Sequence, residues 1–248
     1  MQYGNNKWGK YRALRRDAAL ARHLPLTRMA TNENIRRMLT KNDSVYLKPS
    51  HGTGGFGILK LSRRAGGGYD LQYGTKRRSF ATLDRAYRAF LQAKQNKRYL
   101  VQTGISMLRH LGRPFDLRIM VQRDRASRWE VTGIVGRVAK PRMVVTNYHS
   151  GGKPMPVPDL LGPLMSKADQ ASYVDRLKRL SIRTSAHMSR YFPAYRAFGI
   201  DVAVDRKRKP WILEVNSRPD KYIFRALPDK TMFHRIMRYA KPPGKKQR

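Results

Sequence analysis

Apolar positions along this chain recur at two spacings, and the spacing divides it into helices and strands. Between residues 7 and 24, Tyr11, Leu14, Ala18 and Ala21 fall at helical intervals with arginines among them, and Pro25 closes the segment. A second helix is expected from Asn34 to Leu39, with Thr31 or Asn32 as its cap. Leu83, Ala86, Tyr87, Phe90 and Leu91 give a third helix one apolar face behind the N-cap Thr82. Val174, Leu177 and Leu180 begin a fourth that reaches Met188, and Thr231–Tyr239 forms a closing one. Short apolar or alternating runs predict strands at Val45–Lys48, Ile58–Leu61, Tyr69–Tyr73, Arg78–Phe80, Tyr99–Gln102, Phe115–Gln122, Trp129–Val138, Val144–Asn147, 199–204 and 211–216. Gly66 to Gly68 make a hairpin-like turn, and residues 150–163, with four Pro and three Gly, read as loop. The order is strand-rich, then helical, then strands with longer helices. That is an α+β chain with mixed or antiparallel sheets, not a regular βαβ array.

Composition narrows the class. A length of 248 residues, 40% hydrophobic and 10% aromatic, supports a large core in one domain or two packed lobes. The absence of Cys excludes disulfides, a thiol nucleophile and thiolate metal sites. Charges interrupt every apolar stretch, so neither a signal peptide nor a membrane span is expected, which fits a cytoplasmic protein. A formal charge of +37 points to polyanions: nucleotides, nucleic acid, anionic surfaces or acidic peptides. The charge carries no base specificity, and the alternative is simply a basic soluble enzyme.

Four constellations carry candidate chemistry. In Lys48-Pro-Ser-His-Gly-Thr-Gly-Gly-Phe-Gly57, a lysine at a strand end faces phosphate oxygens, and the glycines let backbone N–H groups converge on them. Ser50, His51, Gly54, Gly55 and Gly57 belong to this candidate nucleotide contact. The spacing is not that of a P-loop, and a flexible hairpin turn is the alternative. Asp116 and Arg118 share one strand face, either beside a moving phosphoryl group or as a surface ion pair. Arg137 with Asn147 and Gly151-Gly152 forms either a ligand-contacting loop or an ordinary turn. Asp201, Glu214 and Asn216 are three oxygen donors among apolar strand residues, suited to one or two magnesium ions. Their alternative is a turn residue and a carboxylate paired with arginine.

Taken in order, these pieces resemble the ATP-grasp superfamily, and more closely its YheC/YheD-like, spore-coat-associated branch. The resemblance runs from about Asn6 to Tyr239 and rests on Lys48-Pro with its glycine loop, Val101-Gln-Thr-Gly-Ile105, Phe115-Asp-Leu-Arg118, Asn147 with Gly151-Gly152, and Glu214-Val-Asn216. It implies two α+β lobes holding ATP, the first over 1–103 with the glycine lid, the second over 104–240 with the metal site, before a basic tail over 241–248. Lys48 would contact the phosphates, with Lys7 or Lys10 as a second contact. Leu100 to Ile105 would supply the adenine and ribose edge, with Gln102 where many relatives carry Glu. Arg118, Arg137 and Asn147 would face the reacting phosphoryl group, and Asp201, Glu214 and Asn216 would bind magnesium. The Arg137 and Asn147 arrangement also resembles peptide–glutamate ligases of the ribosomal-protein-modifying type.

The activity implied is ADP-forming carboxylate–amine ligation through an acylphosphate. Two departures qualify it. Asp220 follows Pro219 where the superfamily has glycine, and the front α/β domain of typical members is not expected in this chain, which begins almost at the ATP-binding lobes. The latter suits a large or partner-presented acceptor such as an acidic peptide or protein. A non-catalytic spore-coat component with the same fold, and a nonspecific nucleic-acid binder, are the competing classes.

Overall fold

The computed structural model of the chain describes residues 2–52, 54–146 and 148–241. Candidate residue Asn147 and the tail from residue 242 onward therefore lie outside the described residues. Helix α1 (Lys7–Leu14) is capped by Asn6, whose Oδ1 accepts from Gly9 N at 2.8 Å. The helical spacing of residues 7–24 does not produce one helix. Asp17 stands outside helical geometry and caps a second, α2 (Ala18–Ala21), by accepting from the Ala19 and Leu20 amides. Its short carboxylate competes for backbone donors, which favours a cap over a helix interior.

The first sheet is built from β1 (Thr27–Met29), β2 (Ser44–Pro49), β3 (Leu59–Arg63), β4 (Tyr69–Tyr73), β5 (Lys76–Phe80) and β6 (Tyr99–Thr103), with α3 (Asn32–Lys41) and α4 (Leu83–Lys94) between them. Strands lie in the order β1-β6-β2-β3-β4-β5, and every pairing is antiparallel. Thr31 and Thr82 cap α3 and α4. Ile35 and Leu39 of α3 and Ala86 and Phe90 of α4 close one core against Val45, Leu47, Leu59 and Leu61. Strand alternation then turns Tyr46, Lys48 and Lys60 to the opposite face. Strand β1 has three residues, too few to show a period.

The second sheet contains β7 (Arg109–His110), β8 (Arg113–Arg123), β9 (Trp129–Val138), β10 (Lys153–Met155), β11 (Ala197–Val204) and β12 (Pro210–Asn216). Its order is β10-β9-β8-β11-β12, with β7 on β8, again antiparallel. Residues 144–146 form no strand, contrary to the sequence expectation, and the partner at the β9 edge is β10. That strand carries Pro154, whose missing N–H is tolerated on an edge. The Pro-rich stretch also holds α5 (Val157–Leu161), with proline in its first turn, where no helical donor is needed.

Helix α6 (Lys167–Ser189) and the closing α7 (Thr231–Ala240) cover the two faces of this sheet. Odd positions of β8 (Phe115, Leu117, Ile119 and Val121) join Phe198, Ile200 and Val202 of β11 and Tyr173, Leu177 and Met188 of α6 in one core. Tyr11 and Leu14 of α1 pack into the same core, although they precede the first sheet in sequence. Even positions of β8 take the other face. Met120 packs with Phe224 and Ile236, and Gln122 Nε2 donates to Ile236 O at 3.2 Å beside α7. On that face, toward the strand's start, lie Asp116 and Arg118. Among the described residues no helix is long and apolar enough to cross a membrane.

Candidate functional site

Strand register assembles a charged row on the second sheet. Asp116 lies opposite Arg137 of β9, Arg118 opposite Asp201 of β11, and Asp201 opposite Glu214 of β12. Two residues on a strand share a face, so the spacing of Asp116 and Arg118 commits both to this row. Their partners are not each other. Arg137 donates through Nε and Nη2 to the two oxygens of Asp116, and Arg118 donates through Nε and Nη2 to those of Asp201. Nη2 of Arg137 also lies 3.1 Å from Asp201 Oδ2. The expected alternative of a surface Asp–Arg pair is thus replaced by a buried network with two carboxylates and two guanidiniums. Gly199 gives it room, because a Cβ there would meet Pro219 at 2.6 Å and Arg118 at 3.4 Å.

Burial of Asp201 on its own would raise its pKa, but the charges and hydrogen bonds of Arg118 and Arg137 reverse this and hold it below the usual carboxylate range. Burial likewise opposes charge on Arg137, and Asp116 and Asp201 more than offset it, so the guanidinium stays charged at every accessible pH. No hydrogen bond to its Nη1 occurs among the described residues, which leaves one donor arm for a ligand.

The first lobe faces this row with β2 and β6. Tyr46 and Lys48 alternate onto the cleft face, with Gln102 of β6 opposite Tyr46. Lys48 donates to Gln102 Oε1, and Gln102 Nε2 donates to Thr27 Oγ1 at 3.1 Å. Both ends of the Gln102 side chain are therefore used inside the first lobe. Burial pushes the Lys48 ammonium down to about 8, against the raising charge of Glu214. Lys10 is also lowered by burial, with Glu214 opposing. The cleft between the lobes is lined by Lys48, Gly55, Gln102, Ile105, Arg137, Asp201 and Glu214, with Asp116 among them. Its walls are Tyr46, Met107, Val145 and Leu213, apolar residues that carry no chemical signature in the sequence.

An adjoining hollow holds Lys7 and Lys10 together with Lys48, Gln102 and Glu214. Lys7 Nζ donates to Gly52 O at 2.6 Å and lies 3.4 Å from Glu214 Oε1, tying the glycine turn to the carboxylate row. The turn is fastened on its other side by Ser150 Oγ, which donates to Gly54 O at 2.8 Å. Several candidates stand elsewhere. His51 and Gly57 line a separate outer hollow with Phe56 and Tyr99. Ser50 is buried, with Oγ 3.0 Å from His51 Nδ1. Arg118 sits behind the cleft as the holder of Asp201.

Among the described residues no three His, Cys, Asp or Glu side chains cluster as a metal site. The set Asp201, Glu214 and Asn216 is nonetheless drawn together, with Asn216 Nδ2 3.4 Å from Asp201 Oδ2. Its donors are all oxygen, which suits a hard divalent ion such as magnesium. The oxygens of Asp201 are already shared by two guanidiniums, so Glu214 and Asn216 are the freer donors. In this respect the residues fit the ion.

A family model described as YheC/D like ATP-grasp matches residues 2–242. The chain is 27% identical over 226 residues to the endospore coat-associated protein YheD of Bacillus subtilis, covering 88% of this chain and 49% of YheD. It is 24% identical over 230 residues to YheC of the same organism, covering 90% of this chain and 62% of YheC. It thus spans about half to three-fifths of these curated relatives' lengths. Among solved structures, the biotin carboxylase domain of the Hydrogenobacter thermophilus 2-oxoglutarate carboxylase, determined with MgADP, ADP and bicarbonate, has a TM-score of 0.57 at 16% identity. The match covers 97% of this chain and 46% of that one.

Proposed function

The chain belongs to the YheC/D-like ATP-grasp family, and from that premise we propose that it is an ATP- and magnesium-dependent carboxylate–amine ligase acting on a peptide- or protein-borne substrate. The observation that carries this reading is the convergence of Lys48, Arg137, Asp201 and Glu214 on one cleft between two lobes. Cations, oxygen donors and an apolar wall meet there, as a nucleotide triphosphate requires. Curated relatives that are endospore coat-associated make a spore-coat setting part of the proposal.

In this reading Tyr46, Ile105, Met107 and Leu213 enclose the base, and the backbone of Gln102 to Ile105 offers its edge. Lys48, with Lys7 or Lys10, neutralises phosphate charge. Glu214 and Asn216 would hold magnesium, with Asp201 behind them, and the ion would supply charge neutralisation across the phosphates. A substrate carboxylate oxygen attacks the γ-phosphorus, the bond to the β-phosphate oxygen breaks, and ADP leaves an acylphosphate. An amine then attacks the acyl carbon, phosphate departs, and the amine proton passes to solvent. The free arm of Arg137 is placed to steady charge on the moving phosphoryl group. No protein nucleophile is needed, because positioning and charge account for the catalysis.

Incubation of the protein with magnesium, ATP and a pool of amines and acidic peptides, read by mass spectrometry, is expected to show ADP and a condensation product in equal amounts. ATP binding without ADP or product from any pair would leave a scaffold role as the better reading. A second expected result concerns pH. Nucleotide affinity depends on a charged Lys48, so it should be flat below about pH 7 and weaken as pH rises through about 8. The stability term has the opposite sign. Between about 8 and the ordinary lysine value near 10.5, the unfolded chain binds more protons at this site, so folding stability gains with pH there. An affinity flat to about pH 9, read by calorimetry, would remove Lys48 from the phosphate contact.

A further inference from the structure

A second groove opens beside the cleft and shares Tyr46, Ile105, Met107, Pro114 and Val144 with it. Its volume is about 830 Å³, at the upper end for a ligand site. One wall is the cleft face of the first sheet beyond β2. Register runs from Tyr46 to Lys60, from Lys60 to Gln72, and from Gln72 to Arg77, so one transverse row of side chains spans four strands. The other wall brings Arg109 and Arg113 from β7 and β8, with Lys140 and Arg142 from the segment after β9. Gln72 Nε2 donates to Arg142 O at 2.7 Å and bridges the two walls.

The lining is cationic on both sides. Asp43 is its one carboxylate among the described residues, and that side chain pairs outward with Arg63. Arg77 has a partner in Asp70 at 3.6 Å. Lys60, Arg109, Arg113, Lys140 and Arg142 have no ion pair among the described residues. Their mutual repulsion shows at Lys60, whose pKa is lowered by burial and then by the charges of Arg109 and Arg77. Like charges gathered in a groove cost folding free energy unless something opposite occupies it.

We propose that this groove docks an acidic peptide segment, rich in Asp and Glu, and so recruits the peptide or protein substrate of the neighbouring cleft. The inference rests on the ligase reading above. Guanidinium forks match carboxylates in bidentate geometry, which favours acidic side chains as the occupant. Single-stranded nucleic acid is disfavoured because the groove lacks stacking surfaces. Tyr46 is its one aromatic ring among the described residues, and it lies in the floor shared with the cleft. The path of the groove into the cleft places a docked chain at the edge of the ATP-binding side chains.

The test uses the whole protein at physiological salt, with fluorescent octaglutamate, octaglutamine and oligo-dT as probes. Octaglutamate is expected to bind and octaglutamine not to. The variant Arg109→Glu/Arg142→Glu should weaken octaglutamate by at least about ten-fold. The control Arg88→Glu/Arg179→Glu makes the same charge change on exposed helix surfaces outside the groove and should lower affinity less than about two-fold. Equal losses in both variants would assign binding to the field of the whole chain and overturn the proposal. Equal binding of oligo-dT, lost in the same variant, would make the groove a nucleic-acid site and overturn it. Displacement of octaglutamate by magnesium-free ATP would make it part of the nucleotide site, with the same consequence. ATP binding, measured separately, keeps the two readings apart. Retained ATP binding without octaglutamate binding sinks the groove alone, whereas lost ATP binding in wild type sinks the ligase reading itself.

Discussion

Replacement of Arg137 by alanine is expected to destabilise the fold by about 3–5 kcal/mol, the largest stability effect predicted for any site residue. The reason is desolvation. Arg137 and Asp116 are 2% and 1% exposed, and among the described residues every hydrogen bond to the Asp116 carboxylate comes from that one guanidinium. Without it a buried carboxylate keeps no partner among the described residues, while Asp201 retains Arg118. A buried pair is poor evidence of net stabilisation, but breaking one by removing a single partner is costly. The double variant Arg137→Met/Asp116→Leu should therefore recover most of the loss, since it removes both charges and keeps apolar volume. Urea unfolding measures all three proteins. A single-variant loss below about 1 kcal/mol, or no recovery in the double variant, would show that the network is not sealed from water. The double variant should still fail to release ADP, because the free guanidinium arm is gone.

That network also shows where sequence reasoning stops. The period of two in a strand made Asp116 and Arg118, and Glu214 and Asn216, legible as same-face pairs. It could not say which carboxylate meets which arginine. Arg118 and Asp201 are 83 residues apart, and their meeting depends on the register between β8 and β11. Proline-rich composition concealed β10 and α5, because an edge strand and a first helical turn tolerate proline as readily as a loop does. The first helix was visible, yet its destination was not. Apolar spacing marks which face of α1 is buried, without naming the sheet that buries it. Gln102 came to notice through the family resemblance of Val101-Gln-Thr-Gly-Ile105. Its role as the acceptor for Lys48 requires β6 beside β2, a fact of topology.

The two clefts follow from the same sheet arithmetic. Once Tyr46, Lys60, Gln72 and Arg77 occupy one transverse row, the face that carries Lys48 toward the cleft continues as a basic wall. Arg118 and Arg137 at the cleft thus have carboxylate partners, whereas Lys60, Arg109, Arg113, Lys140 and Arg142 of the groove have none among the described residues. Composition gave the total charge, and topology decides where it is concentrated.

Glu214→Gln is expected to separate function from stability in the opposite sense to Arg137. Its side chain is 25% exposed, and its partner Lys7 is also fastened to Gly52 O. A partly exposed pair at 3.4 Å contributes at most about 1 kcal/mol, so the unfolding midpoint should hardly move. ADP formation should fall by about 100- to 1,000-fold, because the substitution removes one full negative charge from the donors proposed to hold magnesium. Lys7 would remain beside the neutral amide, adding repulsion to any cation there. Raised magnesium should therefore restore part of the rate in Glu214→Gln, whereas it should restore none in the Arg137 variants. Titration of ADP formation against magnesium, beside thermal unfolding of the same samples, reads both quantities. Wild-type rates in Glu214→Gln would end the metal assignment. A rate lost together with the midpoint would make Glu214 a structural partner of Lys7. A rate lost at constant midpoint, with the magnesium dependence displaced upward, is the result that the cleft geometry requires.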